Sequence, residues 1–60
     1  MKYIIQKTDD ENVKTYFSVG TTRWTTDKSQ ARQFEVEHTA KMTALSLNTY
    51  YELEVIEYEQ

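Results

Sequence analysis

Trp24-Thr25-Thr26-Asp27-Lys28-Ser29-Gln30-Ala31-Arg32-Gln33-Phe34 sets one large aromatic, one capping acid and two further apolar residues at spacings that suit a short amphipathic helix leaving a strand. Asp27 with Gln30 three residues on is a capping-box-like pair, in which the acid accepts from early helical N–H groups. Ala31 and Phe34 recur at i, i+3, and Trp24 stands just before the cap, placed to close over them. The spacing predicts a first helix from Asp27 to about Gln33. It describes folding rather than chemistry.

Upstream, Tyr3 to Lys7 is a short apolar run with two isoleucines and reads as a strand. Thr8 to Asn12 is a polar break. Val13 to Val19 then alternates, with Val13, Thr15, Phe17 and Val19 on one face and Lys14, Tyr16 and Ser18 on the other. The two runs predict an antiparallel hairpin with a loop of about four or five residues. Gly20 marks the next reversal, and Thr21 to Thr25 is a short third strand ending near Trp24. Downstream, Phe34 to Glu37 connects two helices. The second helix starts near His38 or Thr39, places Ala40, Ala44 and Leu47 on one face with Met42 and Leu45 flanking, and stops at Asn48. Tyr50 to Tyr58 is the strongest strand: Tyr51, Leu53 and Val55 share one face, and Tyr50, Glu52, Glu54, Ile56 and Tyr58 the other. The expectation is a single α+β domain over residues 1–60, a small antiparallel sheet of three or four strands with two short helices packed on one face, in the order β-β-(β)-α-α-β. The last strand most simply returns beside the first, although the sequence leaves that pairing open.

A chain of sixty residues buries only about 60% of the surface its unfolded form exposes, so its stability is marginal. With no cysteine, it has neither a disulfide framework nor a thiolate metal site. The core therefore depends on rings: Tyr3, Tyr16, Phe17, Trp24, Phe34, Tyr50, Tyr51 and Tyr58. Formal net charge is −3 and unevenly spread. Residues 1–34 carry six basic and four acidic side chains, whereas residues 35–60 carry Lys41 against Glu35, Glu37, Glu52, Glu54, Glu57 and Glu59. An acidic total argues against sequence-independent nucleic-acid binding, where Lys and Arg must neutralise phosphate. No apolar run approaches the ~20 residues needed to span a bilayer, and the apolar stretch near Met1 is too short for a signal peptide. These features read as a soluble cytoplasmic protein.

The pattern Trp24-x2-Asp27-x3-Ala31-x2-Phe34, after a Tyr/Ile strand and before Tyr51-Glu52-Leu53-Glu54-Val55, resembles small, mostly uncharacterised proteins of phages and prophages in Gram-positive bacteria. The resemblance covers nearly the full length in element order. It implies a phage accessory or host-modulating role in the host cytoplasm, and carries over no activity and no functional residue.

Few constellations suggest chemistry. His38 as a general base would need an orienting carboxylate, Glu35 or Glu37, and a nucleophile; a capping or solvated role is more natural. Asp9, Asp10 and Glu11 could offer oxygen ligands to a hard cation, but lack the spacing and glycine of a calcium loop and read as a solvated turn. Glu52 and Glu54 share a strand face about 6–7 Å apart, near glycosidase separations, yet a charged outer face is the usual reading. The expectation is a non-enzymatic protein with no cofactor and no metal.

The outer sheet face is the least ordinary feature. Tyr50, Ile56 and Tyr58 lie among Glu52 and Glu54, and Tyr16 and Ile4 add to the same surface. With both helices on the opposite face, these residues predict a protein-binding surface for a host protein or for a second copy in a dimer. The alternatives are a nucleic-acid accessory using Lys14, Arg23, Lys28 and Arg32 with Tyr16 and Trp24, and a small structural or assembly component.

Overall fold

Ile4 and Ile5 are consecutive, so on a strand they point to opposite faces, and both are fully buried (0% exposed). The sheet is therefore covered on both sides. The structure, a computed structural model, describes residues 1–18, 23–47 and 51–58. Strands β1 (Lys2–Thr8), β2 (Lys14–Phe17), β3 (Trp24–Thr25) and β4 (Glu52–Tyr58) form one antiparallel sheet in the order β3-β2-β1-β4. The α+β class, the antiparallel sheet and the return of the last strand beside the first agree with the sequence. β4 pairs with β1 over its whole length, from Lys2 opposite Tyr58 to Thr8 opposite Glu52. The expected reversal at Gly20, the helix stop at Asn48 and the strand start at Tyr50 lie outside the described residues.

The β1–β2 loop is closed by Asp9. Its Oδ1 accepts from the N–H groups of Glu11 and Val13, both at 2.9 Å, and its own N–H donates to the Val13 carbonyl at 3.1 Å. Asn12 takes the left-handed conformation (φ 66°), which asparagine tolerates better than most residues.

The quoted stretch departs from expectation. Only one α-helix, α1 (Glu37–Ser46), is present among the described residues; Asp27 caps no more than a 3-10 turn, Lys28–Gln30. The Asp27 carboxylate accepts from the Ser29 N–H at 3.0 Å and the Ser29 hydroxyl at 2.7 Å, so the cap exists but its partner is Ser29 rather than Gln30. Ala31 is already extended (ψ 146°). Past it, the sheet takes the backbone groups a helix would have used. The Arg32 N–H donates to the Phe17 carbonyl at 2.8 Å, and Phe34 and Tyr3 exchange two hydrogen bonds of 2.8 Å. Tertiary hydrogen bonding has overridden a weak local helix preference.

The same path corrects the layering. Ala31 joins Ile4 and Tyr16 on one face of the sheet, with Ile56 and Tyr58 packed against them. Phe34 joins Ile5 and Ala40 on the other, with Tyr3, Phe17, Trp24, Ala44, Leu47, Leu53 and Val55. The cover is thus split, the 3-10 turn and Ala31 on one face and α1 on the other, instead of two helices on one face. Trp24 packs against the cluster that holds Phe34 and not against the one that holds Ala31, and it meets Phe17 edge-on at 5.8 Å between centroids. Helix α1 begins at Glu37, one residue before the expected start. Its acidic first residue suits the helix N-terminus and pairs with Lys41 at 2.9 Å. Ala40 and Ala44 face the core as the periodicity predicted, followed by Leu47.

Two predictions arise here. The Thr15 hydroxyl is buried with no hydrogen-bond partner among the described residues. Thr15→Val should raise stability by about 0.5–1.5 kcal/mol in a urea titration, because it removes a desolvated hydroxyl while keeping a β-branched shape. A loss would show that the hydroxyl is satisfied. The second concerns Asp27, whose pKa is lowered from 3.8 by the Ser29 hydroxyl and then by the Ser29 N–H. A lowered folded pKa gives stability that is present above 3.8 and lost as pH falls through the folded value. The Tm gap between wild type and Asp27→Ala should therefore be widest near neutral pH and shrink in acid; a gap independent of pH would contradict it.

Candidate protein-binding site

The sequence nominated Ile4, Tyr16, Tyr50, Glu52, Glu54, Ile56 and Tyr58 as one open face. Strand register does put Ile4, Tyr16, Glu52, Glu54, Ile56 and Tyr58 on a common side of the sheet. That side is not open at its centre. Ile4 is fully buried and Tyr16 is 7% exposed, beneath Ala31 and with the Lys28 ammonium 5.5 Å from the Tyr16 ring centroid. These two residues are core, not docking surface. Ile56 and Tyr58 are half-buried against the same cluster, so they support the fold as well as any surface. Glu52 and Glu54 remain exposed, and neither forms an ion pair among the described residues. Tyr50 lies outside the described residues.

Exposed apolar surface is found instead beside α1. Leu45 is 78% exposed and Met42 54%, although both sit on α1, the one α-helix among the described residues. Leu45 lines a groove of about 690 Å³ between the second half of α1 and β4, together with Lys41, Ala44, Tyr51, Leu53, Glu54 and Val55. The sequence signal for this groove was Met42 and Leu45 flanking the core stripe: they widen the apolar face beyond what the sheet covers.

The groove borders an unpaired strand edge. β4 is an edge strand of the sheet, paired among the described residues with β1 alone. Tyr3 uses both its backbone groups on Phe34, on the side of β1 away from β4. Alternation then aims Lys2, Ile4, Gln6 and Thr8 at β4, where they meet Tyr58, Ile56, Glu54 and Glu52. The N–H and C=O groups pointing outward from β4 are those of Leu53, Val55 and Glu57. The side chains of Leu53 and Val55 lie on the α1 side, in the floor of the groove.

The other constellations are accounted for by local partners. Glu35, a possible orienting group for His38, is held by Lys2 at 2.8 Å, and that hydrogen bond together with the lysine's charge lowers its pKa. Glu37 pairs with Lys41. Among the described residues, no group of three His, Cys, Asp or Glu side chains is placed to hold a metal ion. Asp9 closes its own loop. Of the four basic residues the sequence nominated, Lys28 and Arg32 stand over rings on opposite faces of the sheet, and Lys7 also stands over rings. Lys7 stands over Trp24 at 4.6 Å and Tyr51 at 5.2 Å, Arg32 over Phe34 at 5.2 Å, and Lys28 over Tyr16. No helix among the described residues is long and apolar enough to cross a membrane. Comparison with protein-family models, curated proteins and solved structures finds no match to this chain.

Proposed function

We propose that this chain is a small non-enzymatic protein-binding module whose contact surface is the β4 edge and the adjoining α1 groove. The observation that carries the reading is the junction of a seven-residue edge strand, its outer side unpaired among the described residues, with an apolar groove headed by the exposed Leu45. An edge supplies unsatisfied backbone donors and acceptors, and apolar surface beside it supplies the hydrophobic contact an interface core needs. Taken with the resemblance to small phage and prophage proteins, the reading extends to an accessory protein that modulates a host protein in the host cytoplasm.

A tagged copy and its Leu45→Lys variant, in which a good helix former puts a charge that suits the end of α1 into the groove, are exposed to the same bacterial lysate at moderate salt to test this. Leu45 is so exposed that the variant should keep the wild-type melting curve to within about 0.5 kcal/mol. One protein retained in stoichiometric amount by the wild type, and at least tenfold less by the variant, is the expected result. Equal retention by both would move the contact elsewhere on the surface, and no retained protein would overturn the binding reading.

A further inference from the structure

We infer that the occupant of this surface is an extended, basic segment of another protein, which adds to β4 as an antiparallel fifth strand. The inference rests on the binding reading above and specifies its partner.

Three features of β4 combine. Leu53, Val55 and Glu57 direct their backbone groups outward, offering three donor–acceptor sites over about 13 Å. Their register is antiparallel-ready, since an added strand would exchange paired hydrogen bonds with each of them. The side chains beside that edge divide by face. On the α1 side, an added strand would lay residues opposite Leu53 and Val55 into the groove under Leu45 and Ala44, which suits apolar side chains. On the other side, residues opposite Glu52 and Glu54 would meet two exposed carboxylates, while on the α1 side, beyond Val55, the residue opposite Glu57 would meet a third. β4 itself carries no lysine or arginine. The partner strand should therefore place basic residues opposite Glu52, Glu54 and Glu57, and apolar ones opposite Leu53 and Val55.

Charge also decides between this occupant and a second copy. Pairing β4 with the β4 of another copy would bring three glutamates from each strand to one seam without any basic residue from either strand. Opposite charges across adjacent strands stabilise, and like charges oppose pairing. A basic strand gains charge pairs with Glu52, Glu54 and Glu57 that the β4 of a second copy has no residue to supply.

The probe is the capped peptide acetyl-Thr-Lys-Val-Ile-Lys-Val-Arg-amide, written so that its first residue faces Tyr58 and its last Glu52. A control peptide has Glu in place of each Lys and Arg. Binding is followed by backbone amide shifts and hydrogen exchange of the full chain. In the free protein, the amides of Leu53, Val55 and Glu57 should exchange quickly and those of Glu54 and Ile56 slowly. The basic peptide should slow the three outward amides at least tenfold, with an effect that weakens as salt rises. The acidic control should leave them unchanged. Glu52→Lys with Glu54→Lys should weaken binding about tenfold or more. Glu57→Pro removes one outward N–H without touching the β1 ladder, and should weaken binding while leaving the melting curve close to wild type. Shifts confined to the glutamates, with no amide protection, would overturn strand addition but leave the binding reading standing. Protection of the same amides without peptide, together with a dimer in sedimentation, would make a second copy the occupant. No response to either peptide would overturn the inference, and the lysate comparison would then decide separately whether the module binds protein at all.

Discussion

Phe34→Ala should leave the chain largely unfolded at 25 °C. Phe34 is 5% exposed and sits where β1, α1 and the segment leaving the 3-10 turn meet, against Ile5 and Ala40 and within reach of Tyr3, Phe17 and Trp24. Removing a buried phenylalanine costs about 3–5 kcal/mol, the lost transfer energy plus the cavity left behind. At roughly 0.05–0.15 kcal/mol per residue, the whole stability of a sixty-residue domain is about 3–9 kcal/mol. The loss is therefore comparable with everything available. The Arg32 guanidinium, stacked 5.2 Å from the ring, loses its platform as well. Urea titration followed by Trp24 fluorescence and by far-UV circular dichroism gives the measurement. A midpoint shift worth under 1 kcal/mol would show that the helix-side cluster closes without this ring.

Ile4→Ala tests the other face. Ile4 is fully buried beneath Ala31, with Tyr16, Ile56 and Tyr58 around it. The expected loss is about 2–5 kcal/mol, the range for truncating a buried isoleucine. On an open face the same substitution would remove only partial contacts and cost well under 1 kcal/mol. The result thus separates a sheet covered on both sides from one covered on a single side. A small loss would reopen the face formed by Ile4, Tyr16, Ile56 and Tyr58 as a docking surface.

The contrast between these residues shows how far the sequence could be read. Alternation in Val13 to Val19 and in Tyr50 to Tyr58 announced the strands β2 and β4, because side chains on a strand take opposite sides by geometry alone. Ala40 and Ala44 announced the buried stripe of α1 in the same way. The adjacent pair Ile4-Ile5 also held a signal that alternation analysis passes over. Two neighbouring isoleucines on one strand need cover on both faces, as in sheets buried on both sides. Reading that pair as a plain apolar run left one face open and placed Ile4 and Tyr16 in a binding surface. The candidate site was legible only in part. Glu52 and Glu54 were found as exposed charges, but Leu45 counted as a flank of the helix because nothing local says how wide a stripe the sheet will cover.

The amino-acid sequence by itself determined the strand faces, the core stripe of the helix, the Asp27 cap and the uneven distribution of charge. Each of these follows from residue type and spacing within one element. Tertiary structure alone decided that Asp27 starts a single 3-10 turn, that Ala31 and Phe34 serve opposite faces, and that β4 is left at the edge. Those outcomes depend on which distant backbone groups claim the same N–H and C=O: Phe17 takes Arg32, and Tyr3 takes Phe34, before a helix can. Local preference is worth tenths of a kcal/mol per residue, and such long-range pairing, made together with core burial, outweighs it.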